Sequence, residues 1–241
     1  MSIPQLKPGF FITGTDTEIG KTLIAGSFIL KLQEQYRRVA GFKPVVAGTY
    51  INSEGVVVNE DLETLLRASS EKLKASDICP YIFDQAAAPH LVGQQSKITL
   101  QMPTMIEAFE KNKKNLDAIV VEGVGGFLVP LNNQNNLGDL AAIMNLPVIL
   151  VVGMRLGCIN HALLTVEAIL SRGLKLAGWV ANEIDPHMLL LKENFATLES
   201  LIPAPCLGLV QHLPENLKKK NQGAYSYEAL KWAADLLRLP N

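Results

Sequence analysis

Six short runs of this chain are apolar almost without interruption: Gly9–Thr13, Val39–Lys43, Ala118–Glu122, Val148–Val152, Leu176–Ala181 and Cys206–Val210. They are rich in Val, Ile and Leu and lack the apolar–polar alternation of a strand with one wet face. Strands covered on both sides read this way, as in a parallel sheet. Between them lie stretches with apolar residues at helical spacing: Lys21–Gln35, Asn59–Ala68, Gln101–Lys113, Gly138–Met144, Asn160–Ser171 and His187–Leu201. A last amphipathic stretch, Tyr225–Leu239, closes the chain. This alternation predicts an α/β fold: a doubly wound, mostly parallel sheet with helices on both faces and ligands at the carboxyl ends of the strands. With 241 residues, 48% hydrophobic and 19% charged, the chain can bury a sizeable core. No internal repeat or long linker divides it, so residues 1–241 are expected to form a single domain. The longest irregular pieces, 45–60 and 84–100, are expected as loops over the active edge.

Charge and cysteine usage exclude several classes. The net charge is −1, and the largest basic cluster is Lys218-Lys219-Lys220, so nucleic acid is not expected as a partner. The three cysteines, Cys79, Cys158 and Cys206, are far apart and form no C-x-x-C, which fits a reducing cytoplasm better than a disulfide framework or a zinc site. The first residues show no signal-peptide pattern. The longest apolar run, "LPVILVVGM", is too short to span a bilayer, and no membrane partner is expected.

The stretch "FFITGTDTEIGKTLIAG" (10–26) carries the most chemistry. An apolar strand, a small polar loop, then Gly20-Lys21-Thr22 opening a helix make a P-loop NTPase arrangement. Backbone N–H groups and the helix N-terminus offer partial positive charge to phosphate, Lys21 reaches the outer phosphates, and the Thr22 hydroxyl can ligate Mg²⁺. The usual motif has four residues between its glycines. Here five, Thr15 to Ile19, separate Gly14 from Gly20, so the strict pattern starts at Thr15. Asp16 and Glu18 would repel phosphate if they pointed inward, so they are expected to face away from it, towards amines, hydrogen-bond donors or a neighbouring subunit. Thr17, between them, is placed to meet an acceptor.

Three more ionisable residues stand at strand or helix ends. Lys43 ends the second apolar run. It is read either as a second cation aimed at the transferring phosphoryl group or as a lysine whose stem snorkels out of the strand. Asp61, in "VNEDLETLL", is a capping acid or a metal ligand. Glu122 ends "AIVVE" before Gly123, Val124, Gly125 and Gly126, where a Walker-B acid sits in P-loop enzymes. Thr22, Asp61 and Glu122 together suit Mg²⁺, which takes one or two carboxylates plus phosphate oxygens and water.

With these residues assembled, the chain resembles the ATP-dependent dethiobiotin synthetase family. The matching segments are "TGTDTEIGKT" (13–22), "GFKPVVAG" (41–48), "VVEGVGGFLVPL" (120–131), "LPVILVVGMRLGCINHALLT" (146–165), "LAGWVAN" (176–182) and "IPAPCLG" (202–208). They keep the family's order, and the five-residue loop spacing is the family's own variant. The resemblance implies a Mg²⁺-dependent cyclo-ligase of biotin biosynthesis, with ATP as co-substrate. One amine of 7,8-diaminopelargonic acid takes up CO₂ as a carbamate. ATP phosphorylates the carbamate oxygen to a carbamic–phosphoric anhydride. The second amine then attacks the carbonyl, expels phosphate and closes the cyclic urea.

The resemblance also implies roles. Lys21, Lys43 and Thr17 act at the reacting groups. Thr15, Asp16, Glu18, Ile19, Gly20, Lys21 and Thr22, with Glu122, Gly123, Val124 and Gly125, hold the nucleotide's phosphate end. Asp16 and Glu18 help hold the loop or the diamine end. Asn182, with Glu183 beside it, matches the family's base-recognition asparagine, though a strand-terminal turn asparagine reads the same way. Gln211, His212 and Leu213 lie where the next nucleotide-contacting loop lies. Gly157, Cys158, Ile159 and Asn160 come from the neighbouring subunit of a homodimer and grip the substrate carboxylate with backbone N–H groups. Thr17, Lys43 and Ala47 complete the substrate site. Two departures stand out: Ala47 replaces a common serine, so a hydroxyl is missing, and Gln211-His212 and Lys218 differ from the usual nucleotide loop. A ParA/MinD-type ATPase switch is the alternative. Such chains usually carry a second lysine in the P-loop and a basic or amphipathic membrane-targeting tail, whereas Thr15–Glu18 fills that loop here and the C-terminal helix is not strongly basic.

Overall fold

All six apolar runs become strands of one sheet in the computed structural model, which describes residues 8–52, 54–219 and 223–240. In chain order the elements begin with β1 (Gly9–Gly14), α1 (Lys21–Gln33), β2 (Val39–Phe42), β3 (Val46–Ala47), β4 (Tyr50–Ile51), β5 (Val57–Val58), α2 (Glu60–Ala68), α3 (Ala75–Ile78), β6 (Ile82–Phe83) and α4 (Pro89–Gln95). They continue with α5 (Met102–Lys113), β7 (Ala118–Glu122), α6 (Leu137–Met144), β8 (Val148–Met154), α7 (Cys158–Leu170), β9 (Leu176–Glu183), α8 (Leu191–Leu201), β10 (Cys206–Val210) and α9 (Tyr227–Asp235).

The six-stranded sheet has the order β10-β9-β8-β1-β7-β2, and every pairing in it is parallel. The expectation of a mostly parallel sheet is met in full there; the antiparallel pair β4–β5 is a separate two-residue hairpin. Each strand feeds both faces. Phe11, Phe42 and Val121 point into a core shared with α5, α6, α7 and α8. Ile12 and Val120 point to the other side, where α1, α2 and α9 pack. Double coverage is why the strands read as unbroken apolar runs. The chain leaves β1 for β2 on one side, and β8, β9 and β10 build out on the other. The order therefore reverses beside β1, and a crevice opens at the carboxyl ends of β1 and its neighbours.

Four expectations need correction. Residues 84–100 are not wholly irregular: Pro89 opens α4 over Pro89–Gln95 from the first helical position, where its missing N–H costs nothing. The stretch 45–60 contains β3, β4 and β5. The helix expected from His187 begins only at Leu191, because Leu190 takes a left-handed φ of 55° and Asp185 ties off a turn by accepting from the His187 N–H. Likewise α9 starts at Tyr227, where the Ser226 side chain caps it by accepting from the Ala229 N–H. Among the described residues no helix is long and apolar enough to cross a membrane.

Candidate active site

The β1–α1 loop turns on two left-handed residues, Glu18 (φ 57°) and Gly20 (φ 83°). At Gly20 a Cβ would lie 2.2 Å from the Asn182 side-chain nitrogen, so both the backbone and the space demand glycine. No side chain caps α1. Asp16 faces outward: one carboxylate oxygen accepts the Thr17 N–H at 2.8 Å and the other pairs with Arg155, just past β8. Lys21 curls back over the loop and donates to the Asp16 carbonyl at 2.6 Å. Burial, with the Lys43 ammonium second, lowers the Lys21 pKa to about 8.

Beside this loop four side chains from four elements converge. Lys43, immediately after β2, is 1% exposed. Its Nζ lies 2.6 Å from Glu122 Oε1, 2.9 Å from Asp61 Oδ2 and 3.1 Å from the Gly123 carbonyl. The Thr22 hydroxyl lies 2.6 Å from Asp61 Oδ1 and 2.8 Å from Glu122 Oε1, and its single proton serves one of them at a time. Burial alone would lower Lys43, but Asp61 and Glu122 outweigh it and hold the ammonium above the ordinary lysine value. Burial alone would raise Asp61; Lys43 and the Thr22 hydroxyl overcome this and keep it below the usual range. Glu122, with no exposure, is pushed up by burial against the pull of Lys43.

One alternative at each of two positions is thereby removed. Lys43 does not snorkel, because its buried ammonium ends on the fully buried Glu122 and the half-buried Asp61 carboxylates. Asp61 does not cap α2; Asn59 does, accepting from the Asp61 and Leu62 N–H groups, which frees the Asp61 carboxylate to face Thr22 and Lys43.

The residues also fit a magnesium ion. The donors are hard oxygens, and Glu122 Oε2 is buried without a hydrogen-bond partner, an oxygen that a cation or its water would satisfy. No group of three or more His, Cys, Asp or Glu among the described residues is arranged as a metal cage. Mg²⁺ needs none, since nucleotide phosphates and water supply most of its ligands.

A cavity of about 820 Å³ opens over this cluster. Thr17, Glu18, Gly20, Lys21 and Thr22 line one side, and Lys43, Asp61, Glu122, Val124 and Gly125 the floor. Ala47, Gly48, Thr49, Asp84 and the segment from Ala86 to Pro89 form a largely apolar wall. Its volume is in the range of small-molecule sites.

The AAA domain family matches residues 8–220. The ATP-dependent dethiobiotin synthetase BioD of Ralstonia nicotianae is 46% identical over 204 residues, covering 85% of this chain and 89% of that protein. The protein of the same name from Pseudomonas paraeruginosa is 46% identical over 209 residues, covering 86% and 91%. The chain belongs to the ATP-dependent dethiobiotin synthetase family. Among solved structures, a ParA family ATPase from Chlorobium tepidum superposes with a TM-score of 0.56 at 14% identity, covering 94% of this chain and 97% of that one. MinD of Pyrococcus horikoshii gives 0.56 at 15% identity, covering 95% and 94%. That likeness shows a shared P-loop fold and nothing finer.

For this member of the dethiobiotin synthetase family, the remaining expected residues stand apart from the cavity lining. Thr15 is tied to β8 by its N–H to the Val151 carbonyl, Ile19 is buried, and Gly123 offers its carbonyl to Lys43. Asn182 donates its amide to the Ile19 carbonyl at 2.7 Å, bracing the loop from behind. Glu183 accepts the His212 N–H at 3.3 Å, which joins the ends of β9 and β10; Gln211 and Leu213 flank that contact. Gly157, Ile159 and Asn160 lie at the exposed or half-exposed start of α7, with Cys158 buried under it. Sequence reasoning missed Tyr50, Asn59, Glu60, Lys219 and Tyr225, which also line the cavity. Only Asn59 carried a local signal, as a capping residue type before a helix.

Proposed function

We propose that the protein is an ATP-dependent dethiobiotin synthetase, with its phosphate end at the β1–α1 loop and its acceptor in the adjoining cavity. The observation that carries the reading is the Lys43 ammonium, buried at the mouth of a P-loop and shared between Asp61 and Glu122. A buried lysine so placed is poor evidence for stability. It is well suited to a transfer in which charge moves onto phosphoryl oxygens.

Each group has work in that chemistry. The first amine of 7,8-diaminopelargonic acid adds to CO₂ and loses a proton, giving a carbamate. The carbamate oxygen takes the γ-phosphoryl group of ATP and ADP leaves. The second amine forms a C–N bond to the carbonyl, and the C–O bond to phosphate breaks. Lys21 and Lys43 flank the transferring group and hold its charge, and Thr17, lining the cavity beside Glu18, orients the acceptor. Thr22, Asp61 and Glu122 would hold Mg²⁺, whose chemistry there is charge neutralisation of the triphosphate. Ala47 presents a methyl where a hydroxyl is common, so a contact made there by that hydroxyl falls to Thr49 or water or is absent; Asp84 is the other polar side chain on that wall and accepts from the Thr49 hydroxyl.

The proposal extends to parts the monomer leaves open. Asn182, Glu183 and Gln211–Leu213 serve the base end, and Asp16 serves the loop through Arg155. Gly157–Asn160 serve the substrate of a neighbouring copy in a homodimer. The whole chain works as one domain in the cytoplasm. Incubating the protein with the diamine, ¹³C-bicarbonate and MgATP should yield a product that has gained one labelled CO₂ and lost one water by mass. Phosphate release that is indifferent to diamine and bicarbonate would instead fit an ATPase switch.

A further inference from the structure

The cavity holds a third lysine that no phosphate motif accounts for. Lys219 comes from the segment after β10 and reaches the rim formed by the first turn of α2. Its Nζ lies 2.9 Å from Glu60 Oε2 and 4.2 Å from the centre of the Tyr225 ring. Both partners line the same cavity as Lys21, Thr22 and Lys43. The arrangement is anchored: the Tyr225 N–H donates to Thr64 Oγ1 at 3.1 Å, and Arg67 donates to the Tyr225 carbonyl, so the ring is held against α2. Only 22% of the Lys219 side chain is exposed.

The charges explain what such a lysine does. At the phosphate end the cavity presents Glu60, Asp61 and Glu122; Glu18 and Asp84 face it elsewhere. Asp61 and Glu122 are engaged by Lys43. Glu60, the next residue along from Asp61, makes its ion pair with Lys219. An uncompensated carboxylate there would oppose an incoming polyphosphate, and like charges brought together at a binding surface are strongly unfavourable. We infer that Lys219 sets the affinity of the cavity for the polyphosphate of its nucleotide, by cancelling the charge of Glu60 at the rim while Tyr225 holds the ammonium in place. This rests on the reading of the β1–α1 loop as the phosphate end of an ATP site. It makes Lys219 a positioning residue, acting through Glu60.

Equilibrium titration with ATP and with adenosine, on the full chain, tests it. Lys219→Met should weaken ATP by about tenfold at low salt, with the deficit shrinking as salt rises, and leave adenosine unchanged. Lys219→Arg should retain ATP affinity. The double variant Lys219→Met with Glu60→Gln should return to within about twofold of the parent, because the charge to be cancelled is gone. Unchanged ATP affinity in Lys219→Met, equal weakening of ATP and adenosine, or failure of Glu60→Gln to restore binding would each overturn the inference. If the unaltered protein binds no ATP, the reading of the site fails first, and that outcome is distinct from the other three.

Discussion

Two strand-to-helix turns in this molecule end on a left-handed glycine. After β1 it is Gly20, opening α1 at φ 83°; after β8 it is Gly157, opening α7 at φ 92°. Neither helix has a side-chain cap, so both offer an amino-terminal end to an anion. Their surroundings differ. Lys21 and Thr22 are buried beside Lys43 and Glu122, and a Cβ on Gly20 would meet Asn182. Around Gly157 a Cβ would meet nothing within 4 Å, and Leu156 before it is 93% exposed. A glycine and a helix end are thus common property. What distinguishes the first turn is the set of paired charges delivered to it from the ends of β2 and β7, both buried, and from the half-buried start of α2. The second turn carries no such set of its own, as suits an element we propose to act on a neighbouring copy.

The largest effect should come from removing the charge that separates the two turns. Lys43→Met should lower kcat by roughly 10²–10³-fold, the scale for losing a preorganised charge at a reacting centre, measured by phosphate release with saturating diamine. It should also lower thermal stability, because Asp61 and Glu122 lose their buried partner, a change that costs about 3–5 kcal/mol. A Lys43→Met protein with parental kcat would erase the distinction.

Next is the glycine pair itself. Gly20→Ala meets both left-handed strain and the Asn182 amide, whereas Gly157→Ala meets the strain alone, about 1–2 kcal/mol. Thermal unfolding should therefore show Gly20→Ala as clearly the more damaging, with nucleotide affinity lost alongside. Equal shifts in the two variants would show that Asn182 gives way freely.

The smallest effect is in pH. With its pKa lowered to about 8, Lys21 is half charged near there in the nucleotide-free protein. Phosphate favours the charged form, so ATP affinity should be flat below about pH 8 and fall above it, approaching tenfold per pH unit. Lys21→Arg should flatten the profile. The folded-state value lies below the 10.5 of a free lysine, so between about 8 and 10.5 the unfolded chain binds more protons. Lys21 thus adds stability as pH rises through that window.

The scaffold was legible because doubly covered strands announce themselves as continuous apolar runs. The convergence of Lys43, Asp61 and Glu122 was partly legible, because a charge at the end of an apolar strand needs a reason, as at Lys43 and Glu122; Asp61 read alone equally well as a helix cap and stood out only beside Thr22 and Glu122. The helix Pro89–Gln95 escaped because "PHLVGQQ" is short, contains a glycine and shows little periodicity. The two-residue strands β3 to β6 are below any pattern's reach. Lys219 and Tyr225 reach Glu60 and Thr64 across about 160 positions of sequence, and a lysine within a basic cluster looks like a solvated face. Contacts made by such chain reversal leave no local trace.

The most direct measurement is a crystal structure of the protein with MgATP or a non-hydrolysable analogue. The account expects the terminal phosphate at Gly20–Thr22, with the ammonium groups of Lys21 and Lys43 both within hydrogen-bond reach of its oxygens, about 3 Å. A nucleotide whose phosphates sit elsewhere, at the start of α7 for instance, with Lys43 still closed on Asp61 and Glu122 and out of reach, would contradict it.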